Sequence, residues 1–317
     1  MTPRASRRTK VAKRLRLKGA LHTHTLASDG SLEPSELAAF YRRLGYDFVF
    51  LTDHNKVTHA GGMKDFLVLP GMEVGASTKE PDQYWHFVGL CPEEATSPEK
   101  ASVAALYRFL RTSTPFCFLA HPYWSQLSGK DLLRFEGLAC VEVWNTGCEL
   151  EIARGCSSYA WDWALSAGAR LSAVAVDDCH GYDDVGKAWV TVEAKAFTAD
   201  AILDALSAGA FTSSCGPEIL SLRRRGKSIR VTTSPCRSIA FIADRQKGKH
   251  VVAGVAGVAH PPPGEAVSSS AKPVAASLLT SASYTLAGVE RYVRVECTDA
   301  EGRKAWSNPL YMNRNDQ

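Results

Sequence analysis

Six of the chain's nine histidines, together with Glu73 and Asp178, stand in or just past short apolar runs. His22 and His24 close LRLKGALHTH, His54 closes FVFLTDH, and Glu73 closes FLVLPGME. His86 lies within YWHFVGL, His121 follows PFCFLA, and Asp178 and His180 close LSAVAVDDCH. Only His59, His250 and His260 fall outside the series. On a strand, side chains at i and i+2 leave by the same face, so His22 and His24 can close on one metal ion. Asp29 and His54 can reach a second ion from neighbouring loops. Left apart, so many polar groups ending apolar strands would be costly to bury. A shared metal cluster removes that cost, and it requires a fold that brings many strand ends to one place.

The rest of the pattern supplies such a fold. Through about residue 215, apolar runs at 15–22, 47–52, 67–74, 84–90, 115–120, 138–144, 171–176 and 187–193 read as strands. Segments 34–45, 98–112, 149–168 and 198–208 read as helices between them. Pro34 suits the first turn of its helix, Glu33 and Glu36 complement the N-terminal dipole, and Gly45 closes it. Strand–helix alternation indicates a parallel sheet or barrel, whose site forms at the carboxyl ends of the strands. After Gly216-Pro217 the runs at 219–224, 228–233, 238–244, 289–298 and 304–312 are short and β-rich, reading as a small β-sandwich. Residues 253–276 within it are low-complexity and read as a loop, with His260 assigned no function.

The motifs also resemble a family. His22-x-His24, Ser28-Asp29-Gly30, Thr52-Asp53-His54-Asn55, Pro70-Gly71-Met72-Glu73, Ala120-His121-Pro122 and Asp178-x-His180 follow the order found in the PHP (polymerase and histidinol phosphatase) superfamily of metallohydrolases. Glu142-Val143-Trp144-Asn145, the stretch Ala210–Ile219, and Asp299–Pro309 resemble its subgroup named after the carbaryl hydrolases. The resemblance implies an α/β fold: a distorted (β/α)7 barrel over 17–217, followed by the C-terminal β-sandwich over 218–317. It implies that His22, His24 and Asp178 hold one metal, with Glu73 bridging to a neighbour. Asp29, His54 and His180 would hold a second, and His86 and His121, again with Glu73, a third. An aspartate at position 29 resembles the nucleotide-phosphatase-like members. Two or three divalent ions are therefore expected. The nitrogen and oxygen donors suit Mn, Zn or Fe alike. Asp53 reads as bracing a loop rather than as a ligand.

Such a cluster performs hydrolysis. A hydroxide bridging two metals is nucleophilic at neutral pH, with Glu73, Asp178 and His180 as the groups closest to the reaction. A phosphoesterase acting on a small phosphorylated metabolite, a nucleotide among the candidates, is the first expectation. The same hydroxide can attack a carboxyl ester or a carbamate, so that alternative stands beside it. Asn55, Lys56, Asn145, Arg154 and Lys187 are candidates for holding substrate. Trp85, Tyr123, Trp124 and Trp144 are candidates for stacking on an aryl group or nucleobase. Asp183 and Asp184 are candidates for the leaving-group acid.

Composition narrows the setting. No uninterrupted apolar stretch approaches the ~18 residues of a spanning helix, so no membrane partner is expected. The net charge of +4 conceals an asymmetry: residues 1–18 hold eight basic residues and no acid. Taking those eight from the total leaves −4 on the rest. Residues 1–16 are read as a solvated basic tail rather than a nucleic-acid-binding arm, so no nucleic-acid partner is expected. Lys13, Arg14, Arg16 and Lys18 follow Arg7-Arg8 where an export signal needs an apolar core. Nine cysteines without CxxC spacing fit reduced thiols in a cytoplasmic protein, with Cys148 and Cys156 read as packing residues rather than nucleophiles. Oligomeric state is left open.

Overall fold

The structure is a computed structural model that describes residues 14–79, 82–93, 96–254 and 277–312. Most of the basic tail and of the low-complexity stretch, with His260, lies outside the described residues. The N-terminal part runs β1 (Leu15–Ala20), α1 (Pro34–Arg43), β2 (Phe48–Leu51), β3 (Leu67–Lys79), β4 (Asp82–Leu90), α2 (Val103–Ser113) and β5 (Phe116–Leu119). It continues with β6 (Cys140–Asn145), α3 (Thr146–Ile152), α4 (Ser158–Ala167), β7 (Ser172–Val176), β8 (Trp189–Ala194), α5 (Ala199–Ser207) and β9 (Phe211–Ser214). Local chemistry sets several boundaries. Pro34 opens α1, and Gly45 just beyond it takes a positive φ of 76°. The Ser102 and Thr198 side chains cap α2 and α5 by accepting from the amides of Ala105 and Ala201. Residues 149–168 do not form one helix: Ala153 adopts a left-handed conformation (φ 56°) and separates α3 from α4.

Strands β1 to β7 neighbour one another in chain order within a mixed sheet. β1, β2 and β3 are parallel, β4 runs antiparallel to both β3 and β5, and β5, β6 and β7 are parallel again. All four residues of β2 are buried, as expected for a strand covered on both faces. The other edge of β1 pairs with antiparallel β8, which pairs with β9. Thus the simple seven-stranded closure is not what the ladders record. β7 and β1 meet just past their ends, through a parallel bridge between Thr23 and Cys179. There the His24 amide donates to the Cys179 carbonyl at 2.9 Å and the Asp178 amide to that of His22 at 3.1 Å. That junction places His22 and His24 against Asp178.

The C-terminal part is β-rich: β10 (Ile219–Arg225), β11 (Ser228–Cys236), β12 (Ser238–Ala243), β13 (Gly248–Val252), β14 (Leu279–Thr285), β15 (Tyr292–Thr298), β16 (Lys304–Ser307) and β17 (Leu310–Tyr311). β10, β11 and β14 form a three-stranded sheet. Its inner residues Ile229 and Val231 pack with Ile239 and Phe241 of β12 and Val293 and Val295 of β15. The second layer is not a separate sheet, because β16 pairs with β9 and joins β12, β13 and β15 to the N-terminal strands. Buried Arg294 of β15 ties the layers further. It donates from Nε and Nη2 to the two carboxylate oxygens of Asp162 in α4 at 2.6 Å each, and its guanidinium lies over the Trp161 ring. Among the described residues no helix is long and apolar enough to cross a membrane, and all nine cysteines are free thiols.

Candidate metal centre

Each group of the cluster arrives from a strand or strand end. His22 and His24 extend β1, His54 lies three residues past β2, and Glu73 and His86 sit within the β3–β4 hairpin. His121 follows β5, and Asp178 and His180 follow β7. His121 and Asp178 hold positive φ angles of 26° and 52°, a strained conformation that persists where surrounding structure enforces it. Gly75 makes room for His86, because a Cβ at that position would lie 2.4 Å from His86 Cδ2.

All nine sequence-derived positions come together in three overlapping groups: His22, His24, Glu73 and Asp178; His24, Asp29, His54 and His180; and Glu73, His86 and His121. Glu73 joins the groups through both carboxylate oxygens. Its Oε2 lies 3.3 Å from His22 Nε2, 3.2 Å from His24 Nε2 and 3.1 Å from His54 Nδ1. Its Oε1 lies 3.0 Å from His86 Nδ1 and 3.4 Å from His121 Nε2. Asp178 Oδ1 lies 3.2 and 3.1 Å from the Nε2 atoms of His22 and His24. Asp29 Oδ2 lies 3.4 Å from His54 Nε2 and 3.5 Å from His180 Nε2.

The donor set fits cations. His22 Nδ1 faces the Glu142 carboxylate at 2.7 Å, which fixes the proton there and leaves the Nε2 lone pair pointing inward. That lone pair meets Glu73 Oε2, Asp178 Oδ1 and, at 3.1 Å, His24 Nε2. Four acceptors thus converge in a buried space, and Asp178 Oδ1 has no hydrogen-bond donor of its own. Without a metal, protons must supply the positive charge. Burial works to lower the pKa of both His22 and His24, but Asp178, Glu73 and, for His22, Glu142 outweigh it. His22 ends well above its ordinary value and His24 at about 9. Burial likewise opposes ionisation of Glu73 and Asp178, yet the surrounding imidazoles hold both well below the usual carboxylate range. The carboxylates therefore favour positive charge at the centre, which protons or a cation can supply. The nearby Cys148 thiol is pushed far up by burial and adjacent carboxylates, so it adds no thiolate.

Supporting residues complete the site. Glu142 is fully buried; its Oε2 accepts from the His121 amide at 2.7 Å and from Asn145 Nδ2 at 2.9 Å. It thereby orients two candidate ligands, a role the sequence reading missed although an acid inside the apolar strand CVEVWN was its signal. Asp177, also missed, accepts from Tyr41 Oη and the amides of Gly186, Lys187 and Ala188, fixing the loop after Asp178. Burial raises its pKa to about 7 against those four bonds. Asp53 accepts from the Thr25 amide and from the Thr25 and Ser28 hydroxyls, bracing the loop that carries Asp29.

The cluster opens into a cavity of about 470 Å³, where Trp124, Gly147, Cys148, Glu151 and Asp184 join the candidate ligands on the wall. Among the described residues no lysine or arginine lines it. The five residues suggested for substrate are not brought to that wall. Asn145 is committed to Glu142, to Asp178 Oδ2 at 2.9 Å and to capping α3 through the Cys148 amide. Asn55 accepts from the Ser97 hydroxyl in a neighbouring groove, Lys56 is exposed, and Lys187 faces a different pocket beside Trp144 and Arg303. Arg154 is half-buried outside the cavity wall. Of the four aromatic candidates only Trp124 lines the cavity; Trp85 is fully buried elsewhere in the core. Asp183 is exposed away from the wall, whereas Asp184 lines it with both oxygens accepting from the His180 and Gly181 amides.

Comparison with known proteins adds the following. Residues 169–211 match the PHP-associated family, a segment that contains Asp178 and His180. No curated protein matches the chain. Among solved structures, a two-domain protein containing a predicted PHP-like metal-dependent phosphoesterase from Bacteroides vulgatus is similar at 14% identity and a TM-score of 0.49, covering 97% of this chain and 99% of its own. An amidohydrolase from Chromobacterium violaceum with bound sulfate is similar at 17% identity and a TM-score of 0.41, covering 53% and 89%. A metal-dependent phosphoesterase, so described, from Bifidobacterium adolescentis is similar at 16% identity and a TM-score of 0.36, covering 51% and 87%. The matched segment carries Asp178 and His180, two of the nine positions that meet in the three His, Asp and Glu groups.

Proposed function

We propose that the protein is a metal-dependent phosphoesterase acting on a small phosphomonoester, a nucleotide among the candidates. The observation that carries this reading is Glu73, whose two oxygens belong to two of the three donor groups and whose Oε2 also lies 3.1 Å from His54 Nδ1 of the third. Divalent ions held by these groups would lower the pKa of water and draw charge from a phosphoryl oxygen, and Mn, Zn and Fe all suit the donors. The chain's own residues do the rest. Glu142 and Asn145 hold His22, His121 and Asp178 in place, and Asp53, Asp177 and Asp184 fix the loops carrying Asp29, Asp178 and His180. Strands β1–β7, in this reading, act as a distorted barrel around the cluster. The cavity admits a small metabolite. Glu151, whose Oε2 accepts from Trp124 Nε1 at 2.9 Å, offers its other oxygen to protonate a departing alkoxide.

A second reading is a carboxyl-ester or carbamate hydrolase. It is favoured by a cavity wall on which, among the described residues, no lysine or arginine stands, since a neutral carbonyl substrate needs no counter-charge there. The resemblance of the later segments to carbaryl hydrolases points the same way. Mn-loaded protein given p-nitrophenyl phosphate and p-nitrophenyl acetate side by side separates the two, with Asp178→Ala as control. Phosphate release that disappears in the variant supports the phosphoesterase. Acetate turnover alone, equally sensitive to the variant, replaces it with the carbonyl reading.

A further inference from the structure

A second cavity, of about 410 Å³, shares no wall residue with the one at the metal centre and is of the size that small molecules occupy. It lies between the end of β6 with α3 and the turn of the β15–β16 hairpin, and its wall carries both signs of charge. Most of that charge is answered within the protein. Arg303 donates to Asp299 at 2.8 Å and lies 3.4 Å from Glu301, and Lys304 pairs with Glu296. Lys187 and Glu149 are the exceptions. Among the described residues Lys187 pairs with no carboxylate and Glu149 with no cation, although both line the same space. Glu149 Oε2 accepts from the Gly155 amide at 2.9 Å, which leaves its other oxygen without a donor among the described residues.

The cavity also has an aromatic surface. Trp144 is half-buried, and its ring is stacked on that of Trp306, 6.3 Å between centroids and 27° between planes. Its indole N–H donates to the Thr146 hydroxyl at 3.1 Å. With that N–H engaged, what Trp144 presents to the cavity is ring surface. A space that keeps an acid and a base apart beside such a ring fits a ligand bearing all three complements. A monoanion would meet Lys187 alone, and an amine would meet Glu149 alone.

We propose that this second cavity binds a free aromatic α-amino acid as its zwitterion. The ligand's carboxylate meets the Lys187 ammonium, its own ammonium meets the remaining Glu149 oxygen, and its ring packs on Trp144. None of the nine candidate metal-binding residues lines this cavity, so the amino acid is not the substrate of that centre, and the proposal does not rest on the hydrolytic reading. Helix α3 contributes to both walls: Thr146, Glu149 and Leu150 line this cavity, and Gly147, Cys148 and Glu151 line the other.

The test is isothermal titration calorimetry of the metal-loaded full chain with L-phenylalanine, L-tyrosine and L-tryptophan in turn. At least one should bind with a Kd below ~1 mM. Matched analogues then each lack one feature: L-alanine the ring, the arylpropionate the ammonium and the arylethylamine the carboxylate. Each should bind at least ~10-fold more weakly, as for a lost charge-assisted bond or ring contact. Lys187→Gln and Glu149→Gln should each cost a similar factor, with unchanged metal content and thermal midpoint showing that both are folded. Asp178→Ala should bind the amino acid normally. The proposal is overturned if no aromatic amino acid binds, if an analogue binds as tightly as its parent, or if both glutamine variants keep full affinity. It is also overturned if binding survives Lys187→Gln and disappears with Asp178→Ala, which would put the amino acid on the metal centre.

Discussion

Glu142 and His22 face each other across 2.7 Å inside the protein, both fully buried, with the imidazole Nδ1 against the carboxylate. This pair decides which His22 nitrogen offers its lone pair to the cluster. Glu142→Gln keeps the shape but puts an amide donor where an acceptor now serves either His22 Nδ1 or the His121 amide. Metal affinity should fall about 10- to 100-fold, as when partners of ligating histidines are removed. Titration against a chelator of known affinity measures it, and an unchanged constant would remove Glu142 from this role.

Gly75 makes a separable prediction for the third group. Gly75→Ala would put a methyl 2.4 Å from His86 Cδ2, so the imidazole must move from Glu73 and His121. The groups around His22 and around Asp29 do not contain His86. One equivalent of bound metal should be lost while the others stay, at about 1–3 kcal/mol of stability from overpacking. Metal analysis per chain, on protein prepared without chelator, decides the matter.

The difference between what was legible and what was not has a physical basis. His22, His24, His54, His121 and Asp178 stood out because a polar group ending an apolar run is costly unless something receives it. Glu142 and Asn145 also stand in or at the end of an apolar run, but the run does not show which role they play. A buried acid in CVEVWN looks the same whether it binds a metal or orients the residues that do. Lys56 and Lys187 were suggested by proximity along the chain, but they leave the strand ends in other directions. In the fold, β1 to β8 followed from local apolar runs. The left-handed turn at Ala153 occurs without a glycine at that position, so the helix break was hidden. β13 and β14 carry weak alternation in GKHVV and LTSASYT. The pairing of β9 with β16 joins residues roughly 90 positions apart, beyond any local pattern.

Arg294 and Asp162 should matter for stability and little for metal. Both terminal bonds of the fork are made to one carboxylate, and Arg294 is fully buried whereas Asp162 is partly exposed. Asp162→Ala leaves the guanidinium with Glu296 as its carboxylate partner. The loss should be about 3 kcal/mol, the lower end for a broken buried pair because solvent reaches the aspartate side. Urea unfolding of the metal-loaded proteins gives this value, with metal stoichiometry expected unchanged.

Acid sensitivity should have a defined contribution from Glu290. Burial would raise its pKa, but the Tyr284 hydroxyl and the amides of Ala287, Gly288 and Val289 all donate to it and hold it at about 2. A carboxylate whose folded pKa lies below its unfolded value stabilises the fold above the unfolded value, about 4.5. That contribution is lost as pH falls towards 2. Glu290→Gln should therefore be less stable at neutral pH, and the gap to the parent should narrow from pH ~4.5 to ~2. Thermal unfolding of both proteins over that range checks it; a constant gap would mean that the charge of Glu290 contributes nothing.

Glu151 distinguishes a proton donor from a wall residue through the leaving group. Its Oε2 is engaged by Trp124 Nε1, and the carboxyl lines the cavity without belonging to the three donor groups. A nitrophenolate departs without help, whereas an aliphatic alkoxide needs a proton as its bond to phosphorus breaks. If Glu151 supplies that proton, Glu151→Gln should lower kcat about 100-fold for an alkyl phosphate and only slightly for p-nitrophenyl phosphate. Equal losses on both substrates would instead show that Glu151 only holds Trp124 against the cavity.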